Sequence, residues 1–149
     1  MSSAPLVVVP GDGRAYAAVM GVLLALFLLR VVGQMVVAAA APRWLPPMPR
    51  WYSGFMPYRY LLPTQIVFLI VMTALTVSVA RGTPPLGTRP AGAGTWLVWP
   101  SYVYALGMVV RSIRYITAAP ERRGVLIPIV FHFVLAAFLF TYGSYLAAP

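Results

Sequence analysis

Residues 16–40, 61–80, 95–116 and 125–147 each read as apolar for long enough to cross a bilayer, and this pattern excludes most folds. About 18 or more mainly apolar residues is the length of a spanning helix, since in hydrocarbon a helix satisfies its own backbone hydrogen bonds. Composition agrees: 61% of the 149 residues are hydrophobic and 9% are charged, against about a quarter charged in a soluble domain. The sequence therefore predicts an all-α integral membrane protein. Its four transmembrane helices form one compact bundle over residues 1–149, with short loops and both termini on the same, non-cytoplasmic side. The run Val36–Pro42 resembles a small-residue cleavage site. The apolar stretch before it is too long for a signal peptide and contains Arg30, which predicts an uncleaved first span.

Proline, glycine and arginine punctuate the spans. Pro63 is expected in the first turn of the second helix, where a missing N–H costs nothing. Residues 81–94 are dense in Gly and Pro and read as an exposed loop. All eleven cations are arginine, as a GC-rich genome favours, and they are opposed only by Asp12 and Glu121. Arg43, Arg50, Arg59, Arg111, Arg114, Arg122 and Arg123 flank the first and third connections. The other side holds Arg14, Arg81 and Arg89. By the positive-inside rule, residues 41–60 and 117–124 are cytoplasmic, in a multi-pass protein of a bacterial inner membrane. This placement also accounts for the basic charge through anionic headgroups, without nucleic acid.

The 41–60 connection interleaves aromatics (Trp44, Trp51, Tyr52, Phe55, Tyr58, Tyr60) with Arg43, Arg50 and Arg59. Rings with one wet end and snorkelling arginines favour the headgroup layer. Trp44, Trp51, Tyr52, Tyr58, Arg50 and Arg59 are therefore expected to anchor the segment at the interface. A lid over a cavity between spans, or a docking surface, are the other readings.

Inside the spans, the strongly polar residues gather in the cytoplasmic half. Arg30 lies roughly 13 Å from the end of its helix at the helical rise, and His132 is at a similar depth. Arg30 and Gln34 are four apart and share a face, with Gly33 beside them to admit another backbone. Gln65, Thr73 and Thr76 form a stripe on the second span, and Ser101, Tyr104, Met108 and Arg111 one on the third. Both stripes are expected to face the interior, because polar groups facing lipid are costly. No span contains Asp or Glu, so Arg30 has no carboxylate partner from its own helices.

These observations restrict function. Cysteine is absent and His132 is the sole histidine, which excludes thiol chemistry and a His-rich metal cluster. Paired carboxylates for acid–base catalysis are missing from the spans, as is the embedded acid of a proton-coupled transporter. His132 could serve as one axial ligand to a haem or chlorophyll-type pigment, with Met35, Met72 or Met108 as the second. The reading favoured by exclusion is a non-catalytic accessory or assembly subunit. It would bind the lipid bilayer, other membrane-protein subunits or further copies of itself, and an anionic lipid or ligand. The binding residues expected are Arg30, Gln34, Gln65, Tyr104, Arg111, Arg114 and His132. A small oligomeric transporter or channel for an anion or amphipathic solute is the alternative.

Overall fold

The structure, a computed structural model, describes residues 13–51, 57–83, 92–118 and 126–148. Four helices account for most of them: α1 (Gly13–Ala40), α2 (Tyr58–Ala80), α3 (Ala93–Ala118) and α4 (Leu126–Ala147). No strand occurs among the described residues. α1, α2 and α4 are long and apolar enough to cross a membrane. α3 has the length, at 26 residues, but Pro100, Ser101, Arg111, Ser112 and Arg114 dilute its apolar content.

Helix boundaries follow local chemistry. α1 stops at Ala41, which takes a positive φ of 41° just ahead of Pro42, a residue that cannot continue the helix. α2 opens on Pro57, so Pro63 falls in the second turn rather than the first and leaves one helical carbonyl without its usual donor. It closes in a Schellman arrangement: Gly82 at φ 66° donates to Val79 O, and Thr83 N–H reaches Ser78 O. The Ser78 hydroxyl returns a bond to Thr83 O.

The helices pack in the order α2–α1–α4–α3. α1 and α4 are central and α2 and α3 are the edges, a row where the sequence predicts compact closure. Each neighbouring pair is antiparallel. Gln65 meets Gln34 across α2–α1, Tyr16 meets Tyr145 edge to face and Arg30 lies over Phe131 across α1–α4, and Tyr102 meets Phe140 edge to face across α3–α4. The start of α1 and the end of α4 therefore lie at one end of the row.

Two kinds of seam hold the row together. Along α1–α2 the buried residues recur every seven positions, at Met20, Phe27 and Gln34 facing Gln65, Met72 and Val79. This is the 3.5-residue period of left-handed coiled packing. Along α3–α4 the helices touch through small residues. A Cβ on Gly94 would lie 2.7 Å from Ala147 Cα, and one on Gly143 would lie 2.9 Å from Val98 Cγ2 and 3.0 Å from Val98 N. Such close approach supplies the packing that lipid, being as apolar as the side chains, does not drive. Outward-facing residues are correspondingly apolar, with Leu29, Ile70 and Val103 among the most exposed. Thr73, expected inside, is exposed; its hydroxyl donates to Leu69 O at 2.7 Å. That self-satisfaction removes the cost of facing lipid.

Candidate functional site: a polar band across the helix row

Arg30, Gln34, Gln65, Tyr104 and His132 form a polar band across the four helices, built in two parts that meet at Phe131 and His132 on α4. The first part centres on Arg30, which is 7% exposed. Its Nη2 donates to the Trp51 carbonyl at 3.1 Å, and its guanidinium carbon sits 5.4 Å from the centroid of the Phe131 ring. One turn along α1, Gln34 is fully buried and accepts a bond from Gln65 Nε2 at 3.0 Å. Three buried polar atoms have no partner among the described residues: Arg30 Nε, Gln34 Nε2 and Gln65 Oε1. Asp12 and Glu121, the only acids in the chain, lie outside the described residues.

Trp51 makes this part possible. After Ala41 the chain turns back along α1, passes through a 3₁₀ turn (Met48–Arg50) packed against both α1 and α4, and delivers Trp51 into the bundle. The indole is held by a 2.8 Å bond from Nε1 to Pro46 O. Its ring lies over Gly33, where a Cβ would sit 2.7 Å from Cη2. Gly33 thus admits an aromatic ring rather than a neighbouring helix backbone. The sequence places Trp51 among the interfacial anchors. It is instead buried at 7% exposure, because its own carbonyl and ring serve Arg30 and Gly33.

The second part spans α4 and α3. His132, adjacent to Phe131, shares a 2.5 Å hydrogen bond through Nδ1 with the Tyr104 hydroxyl, ring edge to ring face. Nε2 is then the ring nitrogen left for a further contact. Arg111 and Arg30 both lie near enough for their charges to act on His132. Ser101 is buried as expected, although its hydroxyl serves Val98 O on its own helix.

The other residues singled out by the sequence fall elsewhere. Arg114 is exposed near the end of α3, apart from the band. Trp44 is 78% exposed, and Arg50 and Arg59 are exposed, with Arg59 stacked 4.7 Å from the Tyr60 ring centroid. Tyr58 is half-buried, and Tyr52 and Phe55 lie outside the described residues. A pocket of about 310 Å³ opens beside the band, walled by Val37, Ala41 and the returning segment, including Arg43, Pro46 and Met48. Sequence reasoning misses Phe131 and the Trp51 carbonyl, since neither residue type signals a cation's partner at a distance.

No family model matches this sequence, and no curated protein or solved structure matches it either. The geometry alone therefore carries the functional reading. The band is rich in donors and positive charge. It is suited to holding an acceptor-bearing, anionic group away from water, where charge-assisted hydrogen bonds are strongest.

Proposed function

We propose that this chain is a non-catalytic, multi-pass subunit of a bacterial inner membrane that binds an anionic group and other membrane-protein subunits through its polar band. In this reading α3 is the fourth span. Trp96 and Trp99, at 80% and 67% exposure, mark one interface, and Arg111 and Arg114 mark the other. The fifteen-residue step from Trp96 to Arg111 covers about 22 Å at the helical rise, which suits an aromatic belt facing an arginine flank. The arginine-rich 41–60 and 117–124 connections are then cytoplasmic.

The observation that carries the proposal is the buried, incompletely satisfied Arg30 guanidinium with no carboxylate among the described residues. An arginine in a span costs at least about 2.5 kcal/mol on insertion scales. One carbonyl and one ring offset part of that cost, and an external anion or partner acid offsets the remainder. Extraction of tagged protein in a gentle detergent should recover a stoichiometric membrane-protein partner. Recovery of the lone chain, together with solute flux after its reconstitution into liposomes, would refute the subunit reading.

A further inference from the structure

The unpartnered atoms of the band specify a ligand. Arg30 Nε and Gln34 Nε2 are donors on residues one helical turn apart on α1, and Gln65 Oε1 is an acceptor on the α2 residue whose Nε2 bonds Gln34. The three residues are 7%, 0% and 4% exposed. Turning both glutamine amides over does not change the inventory. The Gln34–Gln65 bond then runs the other way and again leaves one donor and one acceptor. The arginine adds a permanent positive charge. The complement has at least two acceptor oxygens, one hydroxyl and one or more negative charges. A water molecule matches the hydrogen bonds but not the charge. A carboxylate matches the charge but brings no donor for Gln65.

We propose that the Arg30–Gln34–Gln65 cluster binds a phosphate group that carries or adjoins a hydroxyl. Resting on the anion-binding reading above, this names its chemical class. Two sources present that chemistry: the headgroup of an anionic phospholipid with a free hydroxyl beside its phosphodiester, and inorganic phosphate. The approach is the pocket at the end of α1. Arg30, Gln34 and Val37 follow one another at steps of four and three on one face of α1, and Val37 and Ala41, the residue just past its end, line the pocket. Arg43 on its wall places a second cation at the entrance. Val37, itself buried, lines the pocket and follows Gln34 by three residues on α1, while Gln34 does not reach the pocket wall. Entry therefore displaces Val37 and the segment that ends at Trp51.

The test uses the full chain purified in mild detergent. Native mass spectrometry and headgroup analysis read the bound lipid, and calorimetry with inorganic phosphate on the delipidated protein reads the free ion. The expected result is about one phosphate-bearing ligand per chain. If the source is lipid, phosphatidylglycerol is retained in preference to phosphatidylethanolamine. If the source is the free ion, phosphate binds the delipidated chain and sulfate, lacking a hydroxyl at neutral pH, binds at least tenfold more weakly. Gln34→Leu and Arg30→Met should each cut occupancy or affinity at least tenfold while helical circular dichroism is retained. Arg81→Gln, exposed at the far end of α2, should leave binding unchanged. No specific lipid and no phosphate binding, or binding that survives both band variants, overturns the proposal. Its failure is separate from that of the subunit reading, which is decided by recovery of a protein partner.

Discussion

The two edge seams of the helix row solve the same problem by opposite means. α2 is held to α1 by a seven-residue repeat of Met, Phe and Val that ends in a buried Gln34–Gln65 pair. α3 is held to α4 by small residues that bring backbone to backbone at Gly94 and Gly143. A small-residue seam gains from contact area and tolerates no added atom. A glutamine pair fixes register, yet each amide has more hydrogen-bonding capacity than the other can use. The α2–α1 seam and the adjoining Arg30 therefore carry unspent donors and an acceptor, which on the proposed reading makes this side the place for a ligand, while the α3 side is built for close packing.

The largest expected effect breaks the rigid seam. Gly143→Ala places a Cβ against the Val98 backbone and should cost about 1–3 kcal/mol, as overpacking does, lowering the thermal midpoint in detergent. Gly107→Ala on the open face of α3, where a Cβ meets nothing within 4 Å, should instead hold or raise that midpoint by helix propensity. Equal effects of the two would dissolve the distinction between the seams.

Next in size is Gly33→Ala. The added methyl meets the far end of the Trp51 ring, a side chain that can shift, so the expected cost is about 1 kcal/mol. The shift should change the tryptophan emission spectrum. An unaltered spectrum would mean that the returning segment does not depend on this contact.

Arg30→Met sharpens the contrast between stability and binding. Arg30 has no carboxylate partner among the described residues for the change to strand, and the desolvation cost leaves with the charge, so the unfolding free energy should stay within about 1 kcal/mol of the parent or rise. A fall of several kcal/mol would make Arg30 a structural residue first.

The smallest effect concerns the amide pair. Gln34→Leu strands the Gln65 amide and should cost about 0.6 kcal/mol, the average for polar pairs between membrane helices. The Gln34→Leu/Gln65→Leu double variant should recover most of that. A double-mutant cycle with no coupling would show that the pair does not fix the α1–α2 register.

Much of this arrangement is legible in the sequence. Apolar length places all four helices within a few residues of their observed bounds, and the four-residue step from Arg30 to Gln34 places both on a buried face. Gln65 and Ser101 are legible for the same reason, as polar residues on helices whose other faces are apolar. Two features are not. The stripe on α2 runs through Gln65, Met72 and Val79 rather than Thr73, because a threonine that bonds its own helix is no longer polar towards lipid. Trp51 and Trp44 stand in the same composition, yet one is buried and the other exposed. The difference lies in where the backbone turns, at Ala41 and in the 3₁₀ turn, and in the space above Gly33. Neither is written in residue type.

The returning segment also sets an order of events during synthesis. Arg30 leaves the ribosome 21 residues ahead of Trp51, and about a hundred residues ahead of Phe131. At roughly 5–20 residues per second, α1 waits about 1–4 s for its carbonyl and about 5–20 s for its ring. Until α4 arrives the first helix carries an arginine without its full set of partners, which favours holding it in a protected, protein-lined or headgroup-facing position.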